Sequence, residues 1–293
     1  MIAQPLLTTM LFIPGSAEDK FANIPTIAAR AFILDLEDAV PPAEKSSARA
    51  SVARLLDRAG EESLLHVRVN PVDSGYLVED LEAVIRPGLS GIDLPKVTSA
   101  ADLLAVDLLI SDLERRAGMP VGGIELMATI ENASGVRNVY DIARAGTRLR
   151  RLCFGAGDFT LDVGLDWPDD SGTTSPTVVH AKVQLVLASR LAELEPPHDS
   201  SYPVFADLEG LRREANESRR LGFVGKHAIH PGQLPVIEEA YRPSQHQIDR
   251  AHRLIAAFES AEAKGQGAVG VDGELVDYPI LYRARQVLTE AGQ

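Results

Sequence analysis

Residues 127–159 read MATIENASG, then a helical pattern, then RLCFGAGDF. Each half is a short apolar run that stops abruptly at small residues and an acid. Residues 126–130 run into Glu131, and Asn132, Ala133, Ser134 and Gly135 turn into an amphipathic segment. Residues 152–154 run into Gly155, Ala156 and Gly157, and then Asp158. Acids at the C-terminal ends of consecutive parallel strands face one another across a barrel mouth or crevice. Such a pair suits a hard divalent cation, Mg²⁺ above all, which takes one or two protein carboxylates and keeps positions open for water and substrate. The small residues before Asp158 leave backbone N–H groups available to a substrate anion. Both acids could equally be N-caps of the helices that follow, since Asp is a favoured cap.

The same unit repeats on either side. Apolar runs at 9–13, 31–34, 64–69 and 91–94 each precede a helical pattern, at 16–30, 43–59, 78–85 and 99–116. Pro41, Pro42 and Gly60 punctuate the second helix. Pro25 sits awkwardly within the first, where it can bend it. Downstream, residues 166–176 make a polar, turn-rich loop long enough to be a functional excursion. A helix over 178–194 follows, then a strand near 199–205, a helix over 208–221, and an eighth strand from 223–225 with 228–229. Eight alternations predict a TIM (β/α)₈ barrel over residues 1–240, with functional residues at the strand C-termini. Beyond 241 the pattern changes. Ser244 and Gln247 make a capping box for a helix reaching about 264, and a Gly-rich hinge, 265–273, separates it from a final helix. Residues 241–293 are too few for a core of their own. They are expected to form a C-terminal helical lid or oligomerisation segment, packed on the barrel or on a neighbouring subunit.

The 293 residues suffice for a barrel of about 250 residues plus an appendage. A net charge of −13 argues against non-specific binding to nucleic acid or an anionic membrane, though not against a small anionic substrate. The single Cys153 excludes an intrachain disulfide and a cysteine-based zinc site. No run approaches the roughly 18 apolar residues of a membrane span. The first ten residues carry no basic residue ahead of an apolar stretch, so no signal peptide is apparent and the expected location is cytoplasmic.

Asp35, Glu37 and Asp38 crowd the end of the second strand, where a nearby cation or arginine would offset their repulsion; a solvated turn is the plain alternative. Arg68, at the end of the third strand, could clamp a carboxylate bidentately or pair with those acids. Lys96 could play either part and is unassigned. His227 and His230, in GKHAIHP, lack metal spacing and a nucleophile partner, which points to capping or ligand packing.

In order along the chain stand LFIPG (11–15), ILDLEDAV (33–40) with Lys45, RVN (68–70), LPKV (94–97), TIENASGV (129–136), GAGDF (155–159), LGFVGKHAIHPGQ (221–233) and GELVDYP (273–279). This series resembles the citrate lyase beta subunit-like proteins of the HpcH/HpaI aldolase family. The resemblance implies a TIM barrel with a C-terminal lid, assembled as a homotrimer or hexamer. It further implies Mg²⁺-dependent lyase chemistry on a 3-hydroxyacyl-CoA thioester such as malyl-, citramalyl- or citryl-CoA. Retro-Claisen cleavage would give a keto acid or aldehyde acid and an acyl-CoA. By position, Glu131 and Asp158 would be metal ligands, and Arg68 the substrate clamp beside the backbone of Ala156, Gly157 and Asp158. Glu37 and Asp38 would hold metal-bound water, and Asp277 would be the catalytic acid/base. The chain departs from the common pattern at Asn132, Gly157 and Lys182. A 2-keto-acid aldolase acting without CoA and a non-catalytic ligand-binding subunit of a larger complex are the alternatives.

Overall fold

Strand β2 (Ala31–Asp35) is buried at every position, and so reads as a continuous apolar run and not an alternating one. It pairs in parallel with β1 (Thr9–Pro14) and β3 (Leu64–Arg68). Strands β4 (Gly91–Leu94), β5 (Glu125–Ile130), β6 (Leu149–Phe154), β7 (His198–Asp199) and β8 (Gly225–Ala228) follow in sequence order, and β8 closes on β1. The result is a closed, all-parallel eight-stranded TIM-type barrel. The computed structural model describes residues 7–60, 63–146, 148–168 and 174–293. Part of the expected 166–176 loop, 169–173, lies outside the described residues. Two compact units emerge, Leu7–Ala240 and Tyr241–Gln293.

Alternation decides what faces the barrel axis. Met10, Ala31, Ile33, Met127 and Cys153 form one buried cluster, and since they come from strands on opposite sides of the ring, they meet inside it. The same parity carries inward Asp35, Arg68, Glu131 and Gly155 at the C-terminal end. Below the apolar layer the axis turns polar. Arg151 lies 2.6 Å from His198 Nε2, which also stands 2.7 Å from the Leu7 carbonyl oxygen, and burial with the cationic neighbour favours the neutral imidazole. His66 occupies the space a side chain would need at Gly91, where a Cβ would fall 2.5 Å from the ring.

The helices around the ring are α1 (Glu18–Phe21), α2 (Lys45–Leu56), α3 (Leu77–Val84), α4 (Ala100–Arg116), α5 (Ala133–Ala143), α6 (Ala156–Asp162), α7 (Pro176–Leu191), α8 (Leu208–Leu221) and α9 (Leu234–Tyr241). The long first helix expected over 16–30 is instead the four-residue α1 and a 3₁₀ turn, Ile24–Thr26, because Pro25 removes a donor from the helical ladder. Among the described residues no helix is long and apolar enough to cross a membrane.

The two last strands differ most from expectation. β7 is two residues long and meets the expected 199–205 only at Asp199, since Pro203 cannot continue a ladder. β8 runs through Lys226 and His227, both buried. The reason is a desolvated charge network. The Asp199 carboxylate meets Lys226 Nζ at 2.9 Å and Lys182 Nζ at 2.9 Å, and Lys226 also pairs with Glu214. Burial alone would raise the Asp199 pKa, but the two ammonium groups hold it well below the carboxylate range. Lys182, a departure from the common pattern, thus fastens α7 to β7.

In the C-terminal unit, α10 (Gln245–Glu262) and α11 (Tyr278–Glu290) flank a hairpin of β9 (Val269–Val271) and β10 (Glu274–Val276). Asp272 and Gly273, both at positive φ, supply its two-residue turn. Part of the presumed hinge is therefore ordered sheet. The expectation that this segment holds no core is also overturned: Ala251, Leu254, Phe258, Val276, Leu281 and Ala284 bury one another.

Removing Asp199 would leave two buried ammonium groups with one exposed-side partner. Asp199→Ala is expected to lower the unfolding free energy by about 3–5 kcal/mol, measured by urea denaturation.

Candidate active site

The site is assembled from the ends of β2 to β6. Asp35 closes β2, and its two carboxylate oxygens accept the backbone N–H groups of Glu37 (2.9 Å) and Ala39 (3.1 Å), which fixes the turn that follows. The turn is also gripped from outside. Lys45, at the start of α2, donates to the carbonyls of Leu36 (2.6 Å) and Glu37 (2.8 Å) and to Asn70 Oδ1 (2.7 Å). Asn70 in turn donates to Asp80 Oδ2 at 2.6 Å. This buried chain sets the direction of Glu37.

Arg68 spends its fork inside the protein: Nε and Nη2 bind Asp35 at 2.8 and 2.6 Å. Nη1 lies 3.1 Å from Glu37 Oε2 without a hydrogen bond, and the guanidinium covers the Phe12 ring at 4.8 Å. Burial works against ionised Asp35, but Arg68 outweighs it and lowers its pKa. Glu37 goes the other way: burial pushes it up to about 7 in spite of Arg68 and Lys96. The solvated-turn alternative is thereby excluded for Asp35 and Glu37, which are 1 % and 3 % exposed, and holds for Asp38, an exposed turn residue.

Glu131 follows β5 and is almost wholly buried; burial first, then the charges of Asp158 and Glu37, raise its pKa well above the carboxylate range. Its Oε1 accepts the backbone N–H of Lys96 at 2.8 Å. It does not cap α5; that task falls to Asn132, whose side chain accepts from Gly135 N at 2.7 Å. Asp158 is not a cap either. It sits in the first turn of α6, one step beyond the strand end where the sequence placed it, with Gly155 at the N-cap position. Gly155 is required by crowding, since a Cβ there would fall 2.1 Å from Glu131 Oε2. The Ala156 N–H donates to Ser200 Oγ at 3.0 Å and is therefore spoken for, which removes it from the expected anion-binding backbone. Gly157 and Asp158 remain in a first turn, whose N–H groups have no intrahelical acceptor.

Lys96, unassigned from sequence, stands at the centre. Its Nζ is 2.6 Å from Glu37 Oε1, 3.5 Å from Asp38 Oδ1 and 3.7 Å from Asp158 Oδ2. Asp93, inside β4, was also missed: burial pushes it up to about 6, and it accepts from Thr129 Oγ1 at 2.7 Å. Alternation through GIDLPK was the available signal. His227 lies edge-on to Phe12 at 5.4 Å, and His230 caps the turn after β8 by accepting from Gly232 N at 3.0 Å. Asp277 caps α11, accepting from Ile280 N at 3.3 Å.

Two clefts open at the mouth. One, about 730 Å³, is lined by Phe12, Lys20, Asn23, Asp38, Arg68 and His230. The other, about 470 Å³, is lined by Asp73, Lys96, Thr98, Glu131 and Asp158. Among the described residues no group of three or more His, Cys, Asp or Glu side chains is arranged as a metal cage. Two oxygen-only carboxylates in excess negative charge nevertheless fit Mg²⁺, which is commonly held by one or two carboxylates together with water and substrate.

A closed parallel barrel with buried acids at its C-terminal mouth defines an enzyme of the (β/α)₈ class. The chain belongs to the HpcH/HpaI aldolase/citrate lyase family, which matches residues 8–231, and with that family it is a carbon–carbon lyase. It is 35% identical over 285 residues to the citrate lyase subunit beta of Leuconostoc mesenteroides, covering 97% of this chain and 92% of the relative. It is 37% identical over 284 residues to a (3S)-malyl-CoA thioesterase of Cereibacter sphaeroides, with 97% and 94% covered. Among solved structures, CitE of Mycobacterium tuberculosis in complex with magnesium, acetoacetate and coenzyme A matches over 100% of both chains, with TM-score 0.81 and 29% identity.

Gly155→Ala should push Glu131 aside, at a cost of about 1–3 kcal/mol. In Glu131→Ala part of that cost should remain, because the retained Cβ of residue 131 would lie 2.6 Å from the added one, and a double-mutant cycle of thermal unfolding measures the share due to the carboxylate.

Proposed function

We propose that the chain is a Mg²⁺-dependent lyase that cleaves a 3-hydroxyacyl-CoA thioester of the malyl-, citramalyl- or citryl-CoA type. The observation that carries this reading is that Glu131 feels the charges of both Asp158 and Arg68, with the two acids on a cleft of about 470 Å³ and Arg68 on one of about 730 Å³, roomy enough for a thioester arm. The magnesium, acetoacetate and coenzyme A in the Mycobacterium tuberculosis protein support it.

Glu131 and Asp158 would hold Mg²⁺, whose chemistry there is to polarise oxygen and offset the charge that develops as the carbon–carbon bond breaks. Arg68 orients the substrate carboxylate with the N–H groups that Asp35 leaves over, assisted by the N–H groups of Gly157 and Asp158. Glu37, buried, and Asp38, exposed, would hold water beside Glu131 and Asp158. In cleavage the 3-hydroxyl loses its proton and becomes a carbonyl, and the bonding pair passes to the thioester α-carbon. That carbon is then protonated, giving an oxo acid and an acyl-CoA. Asp277 is the proposed acid/base for this proton, brought to the mouth of its own or a neighbouring subunit's barrel in a homotrimer or hexamer.

Purified chain with Mg²⁺ and each thioester should release oxo acid and acyl-CoA in equal amounts. Free CoA without shortened acyl-CoA would indicate hydrolysis, as in the malyl-CoA thioesterase relative. Action on free oxo acids alone would indicate the CoA-independent aldolase, and no turnover a ligand-binding subunit. Asp158→Ala is expected to abolish Mg²⁺-dependent turnover while keeping its melting temperature, because the side chain lies at the rim and not in the core.

Asp277→Asn can still cap α11, since Asn and Asp are nearly equivalent as caps, but it cannot exchange a proton. It is expected to keep its melting temperature and substrate binding and to lose most of kcat. Mixing it with Asp158→Ala should restore partial activity if subunits share sites.

A further inference from the structure

Lys96 follows β4 on a left-handed backbone, φ 54°, which a side-chain-bearing residue holds only where its surroundings impose it. From that strained position it grips the acid cluster twice. Its backbone N–H fixes Glu131 Oε1, and its ammonium reaches Glu37, Asp38 and Asp158. Arg68, on the other flank, is engaged by Asp35 and Glu37. One residue thus contacts all four acids that the family resemblance assigns to the metal and its water.

We propose that Lys96 is a built-in counter-ion, whose ammonium stands in the metal-free chain for the divalent cation and withdraws when the cation binds. This rests on the metal reading above and adds a positioning role to it. An ammonium 3.7 Å from Asp158 Oδ2 and a divalent ion on that same carboxylate would lie within a few ångströms of each other, and their repulsion ejects the weaker charge. The side chain can leave without moving the backbone. It is 36% exposed, lines the 470 Å³ cleft, and turns on four single bonds. The backbone N–H stays on Glu131, so one ligand remains aimed while the charge is exchanged. The ammonium also bridges the rims of the two clefts, since Asp38 belongs to one and Asp158 to the other.

The test is Lys96→Asn, because Asn tolerates a left-handed backbone, keeps the N–H and cannot reach Glu37. Magnesium chloride is titrated calorimetrically into the full chain at pH 8, and melting is followed without metal and at saturating Mg²⁺. The expected result is a Kd for Mg²⁺ about tenfold tighter or more than wild type, from the lost repulsion. The variant should also melt lower without metal, a deficit that disappears at saturation. Lys96→Arg, which keeps the charge, should retain the weaker affinity. An unchanged or weaker Kd in Lys96→Asn, or a melting deficit equal with and without Mg²⁺, overturns the counter-ion while leaving the metal reading intact. Lys96→Gly, suited to the same backbone, is read identically if the Asn variant does not fold. No Mg²⁺ uptake by wild type or any variant overturns both.

Discussion

Negative charge that cannot reach water governs the mouth of this barrel. Asp35, Glu37 and Glu131 are each under 5 % exposed, and they converge with Asp38 and Asp158 on a few ångströms of space. Isolated buried carboxylates would be costly enough to take up protons. Arg68 and Lys96 divide the burden between them. Arg68 neutralises Asp35 so completely that its carboxyl is acidified, whereas Glu37 and Glu131 retain a deficit of positive charge. Under the proposed reading, a small, hard cation would relieve that residual deficit.

Holding such a cluster requires rigid supports, and these come from outside it. The Lys45–Asn70–Asp80 chain fixes the carbonyls of the turn after Asp35, so α2, β3 and α3 all set the aim of Glu37. Gly155 gives Glu131 the room to face Asp158, and Asn132 relieves it of the cap that α5 would otherwise take from it. The barrel strands deliver the side chains; buried polar contacts from neighbouring elements orient them.

The first six strands were legible because each is an apolar run cut off by a proline, a glycine or an acid. β7 and β8 were not, since Asp199 and Lys226 read as surface residues until each is seen to be paired, Asp199 with both Lys182 and Lys226, and Lys226 with Glu214 as well. In the site, Glu131 stood where the strand pattern put it, while Asp158 lay just past the strand end, in the first turn of α6. Lys96 was opaque for a different reason: its importance comes from a backbone conformation and from partners on three separate strand ends, neither of which has a local pattern. The small core of 241–293 escaped because three-residue strands are too short to show a period.

The two-residue β7 has a consequence for how the barrel breathes. The belt of interstrand pairing is thinnest there, with His198 paired to Cys153 on one side and two residues to β8 on the other. Ladder bonds alone would make this the first seam to part in local opening. The ion pairs that hold it are desolvated, so salt that screens surface charges leaves them in force. Amide exchange around β6 to β8 should therefore be indifferent to ionic strength and sensitive to acid, which by protonating Asp199 unlatches the ring at one place.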